Sequence, residues 1–291
     1  MCLHVGLSCG TLGEFYQGPS FGNDVSEIAI ISPLIPKYSR ITFVPKTSSC
    51  SPFIASQEVT RETKPKMFAG IDHYCALHGL EAPDGIWLNV SDLPTGHGFA
   101  SSTADIVAGI RCVARVQKRE PNTSDFLKIL SKIERSDSVF INETTFFSSS
   151  HHRVLGSFGA RLGLTAVFTF DGEEVSTENT KEQLIAYYQD NENDYRRLAH
   201  DLRECLQNRD VRLLCECSTR SAELSQQVMP KKHYAHVQEA AEIFGADGIV
   251  VAHTGTILGL LFGERPDSVK AQSISGYFKC FGARADFVEI L

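Results

Sequence analysis

Apolar positions along the chain change their period several times, and each change predicts an element. Residues 1–8 form a short apolar run that predicts a strand. Glu27-Ile28-Ala29-Ile30-Ile31 and Arg40-Ile41-Thr42-Phe43-Val44 predict two more, with Pro33 and Pro36 marking a sharp connection. Residues 45–60 are polar and read as loop. The spacing then becomes helical: Met67, Ile71, Tyr74, Cys75 and His78 share one face of a helix that ends at Gly79. Gly85-Ile86-Trp87-Leu88-Asn89-Val90 returns to strand. Ala104, Val107, Ala108 and Cys112 then predict a helix running to about Val116, with Arg111 and Arg115 facing water. Pro121-Asn122-Thr123-Ser124-Asp125 opens another, with Phe126, Leu127, Leu130 and Ile133 as its apolar face, and Val139-Phe140-Ile141 reads as the start of a strand.

Residues 153–170 carry apolar runs such as Leu164-Thr165-Ala166-Val167-Phe168, read as strands closing a first domain. The polar, acidic stretch from Asp171 to Lys181 marks the boundary, dividing the chain into 1–170 and 171–291. Beyond it, Tyr187 to Leu206 predicts one long surface helix with Tyr195, Leu198 and Leu202 on one face. Val237, Ala240, Ala241 and Phe244 predict a helix closed by Gly245. Gly248 to Phe262 reads as strand, small-residue turn, strand, and Ala283 to Ile290 as a last strand.

Composition narrows the class. The chain has 291 residues, 42% hydrophobic and 22% charged, with a formal net charge of -7. That is ample for a real core and a poor electrostatic match to nucleic acid. Nine cysteines occur without any C-x-x-C pair, so they read as reduced core residues of a cytoplasmic protein. The segment Met1-Cys2-Leu3-His4-Val5-Gly6 has no signal-peptide pattern, and no apolar run approaches the ~20 residues that a membrane helix needs.

The candidate chemistry begins between the strand at 85–90 and the helix from 101. Leu93-Pro94-Thr95-Gly96-His97-Gly98-Phe99-Ala100-Ser101-Ser102-Thr103 has the composition of a phosphate cradle. Glycine permits positive φ and close approach, while a new helix points free N–H groups and its positive dipole end at an anion. It is not a Walker A loop, because no Gly-Lys-Ser/Thr follows. As a dinucleotide fingerprint it has serine in the third glycine's place and no acidic residue about 20 positions on. Downstream, Glu134 and Asp137 form a carboxylate pair at the end of a helix. Cys9 to Gly18 is a second glycine-rich turn, with Glu14 and Gln17 as its polar contacts.

Pro94-x-x-x-Gly98-Phe99-Ala100-Ser101-Ser102-Thr103-Ala104 resembles the P-x-x-x-G-[LM]-[GA]-S-S-[AST]-A motif of the GHMP kinases, with only Phe99 departing from it. Gly10-Thr11-Leu12-Gly13-Glu14-Phe15-Tyr16-Gln17-Gly18 looks like the P-G-T-C-G-E-L-[VI]-Q-G start of the L-threonine kinase branch, which serves cobalamin biosynthesis. Cys9 stands for its proline and Leu12 for its cysteine. Glu134-Arg135-Ser136-Asp137-Ser138 matches that branch's E-P-T-D-S, and Ala252-His253-Thr254-Gly255-Thr256 its A-H-S-G-[ST] turn. His97 stands where the branch often carries lysine.

The resemblance implies an α+β fold of two domains. An N-terminal ribosomal-S5-like domain with a left-handed crossover would be followed by a ferredoxin-like C-terminal domain, with ATP and acceptor between them. It implies Mg-ATP-dependent phosphorylation of a small alcohol, L-threonine to O-phospho-L-threonine. Serine, homoserine or another small alcohol, an isoprenoid or sugar alcohol, and a catalytically silent nucleotide-binding sensor are the alternatives. Pro94, Gly96, His97, Gly98, Phe99, Ala100, Ser101, Ser102 and Thr103 would bind ATP. Ser102 and Glu134 would hold Mg²⁺, whose preference is for hard oxygen donors. Asp137 would take or orient the acceptor's hydroxyl proton. Glu14, Gln17, His253, Thr254 and Gly255 would contact the acceptor, with His151, His152 and Arg153 as candidates for its anionic end. The partners implied are ATP and a small hydroxy amino acid, not nucleic acid or membrane, and a homodimer is left open.

Overall fold

The computed structural model describes residues 3–20, 27–46, 57–159, 162–170 and 181–291, which build three antiparallel sheets. In the first, β1 (His4–Thr11), β4 (Leu34–Pro45) and β5 (Gly85–Ser91) lie in the order β1-β4-β5. In the second, β2 (Tyr16–Pro19), β3 (Ile28–Ile31), β6 (Thr145–Ser148) and β7 (Arg153–Ser157) lie in that order. Both strands of the second sheet that the sequence pattern missed, β2 and β6, are four residues long and buried throughout, so neither shows an alternation. The Val139-Phe140-Ile141 strand is corrected to a turn, with the Ile141 N–H on the Ser138 carbonyl at 2.9 Å.

α1 (Pro65–His78) ends on Gly79 in the left-handed conformation, as its pattern predicts. α2 (Ser101–Val116) is buried on nearly every side, with Ile106, Val107, Ala108, Ile110, Cys112, Val113 and Ala114 all in the core. The expectation that Arg111 faces water is overturned. Its guanidinium is half-buried and donates to the Leu7 carbonyl at 2.7 Å and the Phe140 carbonyl at 3.1 Å, tying β1 to the turn after Asp137. α3 (Thr123–Leu130) starts on a capping box in which the side chains of Asn122 and Asp125 each accept the other's backbone N–H.

The third sheet contains β8 (Thr165–Thr169), β9 (Gly248–Val251), β10 (Leu258–Phe262) and β11 (Asp286–Glu289), in the order β11-β8-β10-β9. In chain order this is fourth, first, third, second, the ferredoxin-like arrangement. It opens at Thr165. The runs within 153–170 therefore go to two different sheets, and β8 begins the second half instead of closing the first. Residues 171–180, carrying most of the expected boundary segment, and 47–56 of the expected loop lie outside the described residues.

The single long helix expected from Tyr187 to Leu206 is two. α4 (Lys181–Asp190) stops where the Asn191 side-chain amide donates to the Tyr187 carbonyl at 2.9 Å, and α5 (Glu192–Asn208) begins anew. Its predicted face of Tyr195, Leu198 and Leu202 is the buried one. α6 (Val211–Gln226), α7 (Tyr234–Phe244) and α8 (Ser268–Cys280) complete the half. One apolar cluster joins Leu12, Phe15 and Tyr16 to Leu198, Leu202 and Val250, so the halves share a core. Every described cysteine is free, and all but Cys280 are buried. Among the described residues no helix is long and apolar enough to cross a membrane.

Within α8, Gly276 has open space where a Cβ would project. Gly276→Ala is expected to stabilise the protein by about 0.5–1 kcal/mol through helix propensity and a less flexible unfolded chain. Urea unfolding would register this as a higher midpoint at unchanged slope.

Candidate functional site

Two glycine-bearing segments, far apart in sequence, are hung on a third, the loop between β5 and α2. Between β5 and α2 the backbone turns through Gly96 at φ +80, Gly98 at φ +103 and Ala100 at φ +55. A Cβ on Gly98 would lie 2.3 Å from the Ala252 Cβ, and one on Gly255 would lie 2.3 Å from the His97 carbonyl oxygen. The late turn is thus pressed against the loop, and the N–H groups of Thr256 and Ile257 donate to the His97 carbonyl at 2.9 and 3.2 Å. From the other side the first turn joins. Thr11 N–H donates to the Phe99 carbonyl and Gly13 N–H to the Gly98 carbonyl, both at 3.1 Å.

A cavity of about 620 Å³ opens against this junction. One wall is Thr95, Gly96, Gly98, Phe99, Ala100, Ser101, Ser102 and Thr103. Ala100 occupies the N-cap position of α2 in the left-handed region, and no side chain caps the helix. Its first N–H groups therefore keep their hydrogen-bonding capacity at the cavity wall. Holding alanine at positive φ costs about 1–3 kcal/mol, the kind of strain that accompanies a functional turn.

Beside that wall, Glu134 follows the last turn of α3. Ser102 Oγ donates to its Oε2 at 3.1 Å, Thr103 Oγ1 to its Oε1 at 3.3 Å, and Lys66 from α1 pairs with it. Asp137 is half-buried farther along the same segment, and Ser32 Oγ donates to its Oδ1 at 3.2 Å. Burial first, and the Glu14 carboxylate second, push the Asp137 carboxyl up to about 7, against the opposing pull of Arg135 and Ser32.

The far wall holds Glu14, Gln17, Arg135, Ser149, Leu184 and Thr254. Gln17 Nε2 donates to the Tyr188 hydroxyl of α4 at 3.1 Å. Arg135 reaches the cavity without a hydrogen bond or ion pair among the described residues. The lining thus carries three carboxylates, Glu14, Glu134 and Asp137, and two cations, Lys66 and Arg135.

Most of the residues singled out from the sequence meet here, and seven stand back, His151, His152 and Arg153 among them. Pro94, His97, His253 and Gly255 do not line the cavity. The His97 ring faces away from it: Nδ1 lies 2.9 Å from Thr256 Oγ1, and the ring packs against Phe170 at 4.9 Å. Phe99 is buried against Phe168 and Phe170, which explains a large aromatic in a loop of small residues. His253 sits behind Glu14. His151 and Arg153 pair with Glu27, while His152 Nε2 lies 2.9 Å from the Glu134 carbonyl oxygen, so none of the three forms the cavity's anion-binding end.

Sequence reasoning missed Lys66, Ser32, Ser149, Leu184 and Tyr188, and gave Arg135 no role. None lies in a glycine-rich motif. Only Arg135 carried a signal, as a cation between two candidate carboxylates.

Residues 67–142 match the family model described as the GHMP kinases N terminal domain. The whole chain superposes on solved structures of that fold. The phosphomevalonate kinase of Streptococcus pneumoniae aligns with a TM-score of 0.72 at 11% identity, covering 100% of both chains. The mevalonate kinase of L. major, solved with R-mevalonate, aligns at 0.66 and 14% identity, covering 100% of this chain and 96% of that one. The homoserine kinase of Cytophaga hutchinsonii aligns at 0.65 and 13% identity, covering 99% and 95%. No curated protein sequence matches the chain.

Proposed function

We propose that this chain, which has the GHMP kinase fold, is an ATP-dependent small-molecule kinase, and that its acceptor is the side-chain hydroxyl of a small amino acid. L-threonine, converted to O-phospho-L-threonine, is the acceptor favoured by the likeness of its four motifs to the threonine kinase branch. The observation that carries the reading is one cavity joining an uncapped helix N-terminus to Asp137, a carboxyl brought up to about 7.

Phosphoryl transfer asks for positioning and charge compensation more than for covalent chemistry. The N–H groups at the start of α2 bind the phosphates of ATP. Ser102 and Glu134 offer hard oxygens 3.1 Å apart, a donor set that fits Mg²⁺. Bound there, Mg²⁺ would neutralise phosphate charge. Lys66 adds a cation on the same side. Asp137 accepts the proton of the acceptor hydroxyl on the carboxylate oxygen that Ser32 leaves free. At the acceptor end, Arg135 provides a cation for the amino acid's carboxylate and Glu14 an anion for its ammonium. A mevalonate-type acceptor would use the first and leave the second unmatched.

Incubation with Mg-ATP and a panel of hydroxylated metabolites, following ADP release, tests the reading. Turnover with threonine, serine or homoserine supports it. Turnover only with mevalonate-type or sugar alcohols, or nucleotide binding without turnover, sinks it. Arg135→Met is expected to raise KM for the amino acid about tenfold or more while leaving KM for ATP unchanged, because a charged contact to the carboxylate alone is lost.

A further inference from the structure

Glu14 is held from the opposite half of the molecule. Its N–H donates to the Val251 carbonyl at 2.9 Å. Its Oε2 accepts the backbone N–H of His253 at 2.8 Å and lies 3.2 Å from the His253 Nδ1. The other ring nitrogen, Nε2, lies 2.9 Å from the Ser221 Oγ on α6. Relative exposures are 7% for Glu14, 2% for His253 and 0% for Ser221. Serine, histidine and carboxylate in that order have the chemistry of an acyl-transfer triad. Here, however, the serine is sealed in the core and outside the cavity lining, so it attacks nothing. The chain of bonds runs from the core to Glu14 at the cavity.

Two donors on Oε2 fix the plane of the carboxylate and leave Oε1 for the cavity that Glu14 lines. A ring whose Nδ1–H donates to a carboxylate has a lone pair at Nε2, which the Ser221 hydroxyl fills. Each bond thereby selects the tautomer that the other needs. We infer that Ser221 and His253 are positioning residues that orient the Glu14 carboxylate toward the acceptor's ammonium group. Discrimination between an amino acid and its desamino counterpart is thus set from the C-terminal half. This rests on the amino-acid kinase reading.

Three variants and two acceptors test it. His253→Asn keeps an amide N–H near the Nδ1 position, His253→Gln reaches instead toward Ser221, and Ser221→Ala removes only the outer partner. With threonine, His253→Gln is expected to lose about tenfold or more in kcat/KM and His253→Asn about threefold or less, the difference a charge-assisted bond makes. With 3-hydroxybutyrate both should stay within about twofold of wild type, and KM for ATP should not move. Ser221→Ala should fall between the two with threonine. Equal losses on both acceptors, or a His253→Asn enzyme as impaired as His253→Gln, overturns the positioning role in favour of a merely structural one.

The ring itself gives a readout independent of turnover. Histidine ¹⁵N spectra should find His253 with a slowly exchanging Nδ1–H in the wild type and without it in Glu14→Met, which removes the acceptor. If the wild type phosphorylates no amino acid, the functional reading falls. The holding of Glu14 then stands on this spectrum alone, and an unchanged ring in Glu14→Met overturns it.

Discussion

Asp137→Asn is expected to lower turnover by about two to four orders of magnitude, leave ATP affinity unchanged, and make the protein more stable at pH 8. The three outcomes share one cause. The carboxyl is brought to about 7 by burial and by Glu14, so its ionised form is costly where it is most useful. Asparagine keeps the shape and an oxygen for Ser32 but accepts no proton. The sign of the stability effect follows from proton linkage. The unfolded carboxyl has the ordinary value of 3.8 and the folded one about 7. As pH rises between them the unfolded chain releases a proton that the folded chain keeps, so stability falls through this window and levels off above about 7. The variant lacks that loss. Its melting temperature should match wild type near pH 4 and exceed it by about 3 °C or more at pH 8, on the usual scaling for a chain of this size. In the wild type, kcat/KM for the acceptor should climb about tenfold per pH unit below 7, as the base form appears. A variant retaining more than about a tenth of wild-type turnover would refute the role of Asp137 as proton acceptor.

What could be read from the sequence was local. The phosphate loop, the carboxylates three residues apart and the helix ending at Gly79 each announce themselves through neighbours in the chain. Their convergence does not. That Gly13, Gly98 and Gly255 belong to one junction is a matter of backbone contacts spanning more than 200 positions, and only the spacing of small residues hinted at it. The pattern predicts one helix over Tyr187–Leu206 because a run of good helix formers hides the side-chain bond by which Asn191 breaks it. Short strands buried on both faces, like β6, have no alternation to find. Among site residues, Lys66 looks like any charged helix residue until it is seen paired with Glu134, and His97 looks like a phosphate ligand until its ring is found on Phe170. Motifs reveal which backbone surrounds an anion. They say little about which way a side chain turns, because tertiary partners decide that.

Glu134→Gln separates a metal ligand from an ion-pair partner. The carboxylate receives Ser102, Thr103 and Lys66 while standing beside the wall proposed to bind phosphate. Without a metal, such a carboxylate repels the polyphosphate, and with one it becomes a ligand. Glutamine retains oxygen for the two hydroxyls and removes the charge. Metal-free ATP should therefore bind as tightly as to wild type or tighter, since the repulsion is gone and Lys66 is released toward the phosphates. The gain in affinity that Mg²⁺ confers on wild type should vanish, and turnover should drop by about two to three orders of magnitude, the size of a lost electrostatic contact to developing charge. Titration calorimetry with ATP, with and without Mg²⁺, measures the first two effects directly. If Glu134 serves only to anchor Lys66, the melting temperature should fall instead, with the Mg²⁺ dependence of ATP binding intact. Lys66→Met should then reproduce the whole phenotype.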